Sequence, residues 1–198
     1  MPKITARAVW AIAIIFVIFF VDQLTKYMVL RADVFQAFAC LETGRCGRVE
    51  LSSVFDLSMV WNRGFSFGLA QSEGVGRWVL AAMQLIIGGM FTFWLVKARH
   101  ATTALSLALV VGGALGNLVD RFRFGAVVDF LDFSGPWFGI KIPLADAISG
   151  LEKVFNPYGP HDQMLGLGFP YIFNIADAAI TIGAILLLID QFLLHRHD

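Results

Sequence analysis

The chain has 198 residues, of which 58% are hydrophobic and only 15% charged, and its formal net charge is zero. Its mean hydropathy is +0.72, whereas a soluble domain is about half apolar and about one-quarter charged. This balance excludes a nucleic-acid-binding protein, which needs a basic face, and a soluble helical bundle, because no apolar run carries a polar face.

The length allows one domain over 1–198, with four apolar runs near the roughly 20 residues that cross a bilayer. The first run is 8–30, with Lys3 and Arg7 ahead of it. It is too long for a secretory leader, continues past Asp22 and Lys26, and lacks a small-residue cleavage site, so it reads as a retained helix. Asp22 and Lys26 are four apart on one helical face. They read either as a mutually neutralising pair at the membrane boundary or as a hold on a neighbouring helix or lipid headgroup.

Residues 31–77 form the first long connection. Cys40 and Cys46 lie in it, open either to a local disulfide or to two reduced thiols. They are not a metal site, because no histidine stands at ligand spacing. Residues 54–61 partly alternate and are rich in strand formers, and Asn62-Arg63-Gly64-Phe65-Ser66-Phe67-Gly68 is rich in turn residues. A small strand-containing platform is predicted here.

Span two, 78–96, and span three, 101–119, are joined by a very short turn containing Lys97, Arg99 and His100. Gly112, Gly113 and Gly116 in span three predict close helix packing. Asn117, Asp120 and Arg121 follow at its end; Asp120 and Arg121 suit a structural ion pair, and Arg121 alternatively a lipid phosphate. Asp129 comes just past the span, with Asp132 a competing candidate three residues on.

The second long connection, within 122–170, is punctuated by Pro136, Pro143, Pro157, Pro160 and Pro170. Inside it, 144–155 has the spacing of a short interfacial amphipathic helix, or is a structured loop. Span four is 171–194. At its start Asn174 is placed as an N-cap and Asp177 at the third helical position, where the helix dipole favours a carboxylate.

Four spans put both termini on one side. The raw count of Lys and Arg favours the long connections, but long segments translocate largely regardless of charge. The dense group at Lys97–Arg99 therefore places both termini in the cytoplasm and the long connections outside.

Ionisable residues at membrane depth mark function by default. There is no His-Glu-x-x-His and no Cys/His cluster, so no metal or cofactor is implied. Carboxylates alone leave three readings: a peptidase, a small transporter or proton-conducting protein, and a non-enzymatic factor for lipidated proteins. The acids gather near one interface and no half-helix repeat is visible, which disfavours a relay through the bilayer.

Five blocks together resemble lipoprotein signal peptidase, the bacterial type II signal peptidase: Asp22-Gln23-x-x-Lys26, Asn62-x-Gly64-x-x-Phe67-Gly68, Gly112-Gly113-Ala114-x-Gly116-Asn117-x-x-Asp120-Arg121, Gly125-x-Val127-x-Asp129-Phe130 and Phe173-Asn174-x-Ala176-Asp177. They occur in order over nearly the whole chain. The resemblance implies a mainly α membrane protein: four transmembrane helices with a small periplasmic strand-containing platform, in the bacterial inner membrane. It implies a monomeric aspartyl endopeptidase that removes the signal peptide from diacylglyceryl-modified prolipoproteins, cutting before the lipidated cysteine. Carried over by position, Asp129 and Asp177 are catalytic and Asp132 matches nothing. Asn62, Gly64, Asn117, Asp120, Arg121, Asn174 and Ala176 line or support the site, and Asp22 and Lys26 serve structure or lipid contact. Membrane lipids and globomycin-type inhibitors are implied partners. The chain departs from the family in the length of its connection from Asp129 to Asp177.

Overall fold

A computed structural model describes residues 6–64, 75–134, 141–142, 165–166, 169 and 171–194. The elements in chain order are α1 (Ala6–Arg31), a 3-10 turn (Asp33–Phe35), β1 (Arg45–Glu50), β2 (Asp56–Asn62), α2 (Val75–Lys97), α3 (Ala101–Phe124), β3 (Val127–Asp132), β4 (Lys141–Ile142), β5 (Leu165–Gly166), β6 (Ile172–Phe173), α4 (Ile175–Ile189) and a π-helical turn (Asp190–Leu194). They form two compact units. One draws on Met1–Thr25, Arg63–Val127 and Ile175–Asp198, the other on Lys26–Asn62 and Val128–Asn174.

The first unit is helical. Its four helices are long and apolar enough to cross a membrane: the 26 residues of α1 rise about 39 Å at 1.5 Å each, more than a roughly 30 Å hydrocarbon core. Helix α3 is the internal one, with 67% of its most apolar window buried against 6% for α2. Ile86, Met90 and Phe93 of α2 remain exposed, as expected of a face that meets lipid rather than water.

Small residues set how closely these helices approach. A Cβ on Gly113 would lie 2.4 Å from the Ala176 carbonyl oxygen, and one on Gly116 would lie 2.4 Å from Asp22 Oδ2. The predicted packing surface is therefore real, and at Gly116 the space is filled by a carboxylate rather than by hydrocarbon.

The largest departures from the predicted span ends are at the end of α3 and the start of α4. Helix α3 continues to Phe124 and stops at Gly125, whose φ of +74° suits a left-handed C-cap and whose N–H donates to the Arg121 carbonyl. Helix α4 begins at Ile175 instead of 171, because Ile172–Phe173 is a strand. Hydropathy alone does not separate an apolar strand from the helix it leads into.

The second unit carries a four-stranded sheet of order β1-β2-β3-β6. β1 pairs antiparallel with β2, placing Glu50 opposite Asp56 and Arg48 opposite Ser58. Ser52 Oγ accepts from the Val54 and Phe55 amides to close the hairpin, and Asp56 binds the Leu51 amide and the Arg48 guanidinium. Burial works to lower the Arg48 pKa, but the hydrogen bond and charge of Asp56 outweigh it and raise the value. Cys40 and Cys46 form a disulfide, with Cα atoms 5.4 Å apart. Buried Trp61 donates its indole N–H to the Ala37 carbonyl at 2.7 Å.

The strand predicted at 54–61 is β2. Strand β3, holding Asp129, was not predicted; the segment was read as a loop following the span. The predicted amphipathic helix at 144–155 lies outside the described residues, as do Phe67 and Gly68.

Gly113→Ala forces a methyl group against the Ala176 backbone, which cannot move without shifting α4. It is expected to destabilise the protein by about 1–3 kcal/mol, measured as a lower midpoint of thermal unfolding in detergent.

Candidate active site

Strand β3 decides which face each acid occupies. Side chains alternate along a strand, so Asp129 and Leu131 share one face while Phe130 and Asp132 share the other. Asp132 is consumed inside the sheet: it accepts from Ser58 Oγ at 2.6 Å and from the Ser134 amide at 2.9 Å. Asp129, 2% exposed, accepts from two carboxamides. Asn62 Nδ2, on β2, donates to its Oδ2 at 2.9 Å, and Asn174 Nδ2 donates to its Oδ1 at 2.7 Å. The Asn174 amide nitrogen also lies 3.2 Å from the Val128 carbonyl. Within the sheet unit, then, three of the expected site residues converge: Asn62, Asp129 and Asn174.

A second set converges in the helical unit. Asp177, in the first turn of α4, accepts from Asn117 Nδ2 at 2.7 Å. The backbone that carries Asp177 is held from α1. Fully buried Asp22 accepts the Ala176 N–H through Oδ1 at 3.0 Å, satisfying an amide that the first turn of α4 cannot pair internally. Ala176 is the residue that fits: its carbonyl faces Gly113 and its Cβ lies near Gly116.

Gln23 extends this network. Its Nε2 lies 3.1 Å from Asp22 Oδ2, 3.2 Å from the Gly116 carbonyl and 3.3 Å from Asp120 Oδ1. Asp120 Oδ1 accepts from Gln23 of α1, and Arg121 donates to Gln84 of α2. Gly64 has φ +100°, a conformation that disfavours any side chain. Lys26 is 2% exposed.

Sequence reasoning quoted Gln23 without a role and passed over Gln84. A glutamine in an apolar helix was the available signal, since an amide in hydrocarbon needs partners. Among the described residues no group of three or more His, Cys, Asp or Glu is placed to hold a metal, and no buried side-chain nitrogen or oxygen lacks a partner.

Four apolar spans with buried carboxylates held by carboxamides describe a polytopic membrane protein that keeps polar chemistry away from lipid. The fold is similar to two solved structures, both described as bacterial membrane enzymes. One has a TM-score of 0.64 at 23% identity, covering 95% of this chain and 91% of that one; the other has 0.62 at 24%, covering 92% of each. The family model for signal peptidase (SPase) II, Peptidase_A8, matches residues 14–193. The lipoprotein signal peptidase of Sphingopyxis alaskensis is 35% identical over 179 residues, 90% of this chain and 82% of that protein. That of Burkholderia vietnamiensis is 34% identical over 195 residues, 96% and 91%. The chain belongs to the signal peptidase II family and is a multi-pass membrane peptidase.

Asp22→Ala removes the acceptor for the Ala176 amide and is expected to cost about 1–2 kcal/mol of stability. Asp22→Asn, which keeps an oxygen at that place, is expected to cost less; thermal unfolding of the two variants in detergent compares them.

Proposed function

We propose that this peptidase is an aspartyl endopeptidase, with Asp129 and Asp177 as its catalytic pair, that removes signal peptides from prolipoproteins. The substrate carries diacylglycerol on the cysteine that follows the scissile bond. One observation carries the choice of residues: Asp129 and Asp177 are each oriented by an asparagine amide, whereas Asp132 is bound into the sheet by Ser58. An amide N–H orients a carboxylate without neutralising it, which leaves it able to exchange a proton.

The chemistry follows from two carboxylates acting on one bond. Two carboxylates serving one bond divide the work, one as acid and one as base. The ionised member takes a proton from water, and the water oxygen attacks the scissile carbonyl carbon. The protonated member donates a hydrogen bond to the carbonyl oxygen. When the tetrahedral intermediate collapses, the C–N bond breaks and the amine of the lipidated cysteine takes a proton from the pair. The new carboxyl terminus leaves with the signal peptide. Neither member is assigned a fixed role.

Asn62, Asn117 and Asn174 orient the acids. Asp22, Asp120, Gly64 and Ala176 support the backbone around them, and Lys26 serves structure or a lipid headgroup. Arg121 contacts the substrate. A signal peptide that unwinds in lipid leaves backbone groups unpaired at a cost, and the asparagine amides offset part of it. The protein works as a monomer in the bacterial inner membrane, with both termini cytoplasmic and its site near the periplasmic face. There the diacylglycerol tails remain in lipid while water reaches the bond. Globomycin-type inhibitors compete with the substrate.

Asp129→Asn and Asp177→Asn are each expected to lower cleavage by more than about a thousandfold, while Asp132→Asn stays within about tenfold of the parent. The measurement is a gel-shift assay in detergent with diacylglyceryl-modified and unmodified prolipoprotein. Cleavage of only the modified form is expected, and substantial activity in Asp129→Asn would overturn the assignment.

A further inference from the structure

Between Trp78 and Thr92, Gln84 is the one side chain of α2 that carries a hydrogen-bonding nitrogen or oxygen. Both ends of its amide are engaged by α3. Its Nε2 donates to the Ala114 carbonyl at 2.8 Å, and its Oε1 accepts from Arg121 Nη1 at 2.5 Å. A carbonyl only accepts and a guanidinium only donates, so these partners allow one orientation of the amide. Ala114 and Arg121 are seven residues apart, two turns along one face of α3, with Asn117 between them. Asn117 is the residue that donates to Asp177.

These polar groups line one groove of about 310 Å³ in the helical unit. Its other walls include Leu80, Phe91 and Ile180, so a guanidinium and two amides stand against hydrocarbon. A link between helices would need only the bond to Ala114. The second bond goes to a flexible cation, and charge-assisted hydrogen bonds are about twice as strong as neutral ones.

We propose that Gln84 is a positioning residue for the cleavage reaction, holding the Arg121 guanidinium at the groove in the orientation that meets the substrate. This rests on Arg121 as a substrate contact, the reading given above. An arginine side chain has many rotamers, and a misplacement of about 1 Å in a group that orients substrate can lower the rate about a hundredfold. The bond to Gln84 removes that freedom before substrate arrives.

The test is a double-mutant cycle on the full-length protein in detergent, with kcat/KM measured on diacylglyceryl-modified prolipoprotein. Gln84→Met keeps the length and fit of the side chain without its hydrogen bonds, and is expected to lower kcat/KM about 10- to 100-fold. In an Arg121→Ala background the same change is expected to have less than about a twofold effect, because its target is gone. Gln84→Glu, which keeps the acceptor, is expected to stay within about threefold of the parent. If Gln84→Met costs as much in Arg121→Ala as in the parent, or Gln84→Glu is as impaired as Gln84→Met, Gln84 acts through helix packing and the proposal fails. Parental activity in Gln84→Met also overturns it. An Arg121→Ala variant of parental activity instead removes the substrate role of Arg121, and with it the basis for positioning.

Discussion

The carboxylate of Asp22 accepts the backbone N–H of Ala176, and the placement of Asp177 depends on that bond. The first amides of any helix point outward without partners. In water they are solvated, but within an apolar protein each needs a fixed acceptor. Here the acceptor comes from another helix, so α4 is fastened at the turn that carries Asp177. Gly116 leaves room for that carboxylate, and Gly113 for the Ala176 backbone. The glycines thus do more than let helices touch: they make space for one polar contact to be made inside hydrocarbon.

Carboxamides recur in the network for a related reason. Asn62 and Asn174 bind Asp129, Asn117 binds Asp177, and Gln23 lies among Asp22, the Gly116 carbonyl and Asp120. A neutral amide donates to a carboxylate without adding charge, and its oxygen can accept elsewhere. Arg121 likewise meets an amide, donating to the Gln84 side-chain oxygen.

Much of the architecture was legible because the bilayer imposes simple lengths. Four apolar runs predicted four helices, and the small-residue spacing in 112–116 predicted where helices come close. Asn174 and Asp177 were readable as a helix start. Other features were not readable, for physical reasons. A strand such as β3 is only six residues long and follows directly on a span, with no clean alternation to set it apart. At the level of sequence only resemblance chose between Asp129 and Asp132; in the sheet Asp132 is bonded to Ser58 and Asp129 to two asparagines. The disulfide of Cys40 and Cys46 stayed open, because thiol spacing does not specify whether two Cβ atoms face each other.

The sequence by itself determined the membrane-spanning class and the number of spans, since these depend on composition and periodicity along one chain; the pair Asp129 and Asp177 came from resemblance to a family. Tertiary structure alone decided what each polar group binds. It assigned Asp22 to the start of α4 and Asp132 to the sheet, and brought Asp120 to Gln23 and Arg121 to Gln84. It also joined Gln84, from an apolar stretch of α2, to Ala114 and Arg121 of α3. Hydrogen bonds between residues 37 or 154 positions apart follow from packing in three dimensions, which no local pattern encodes.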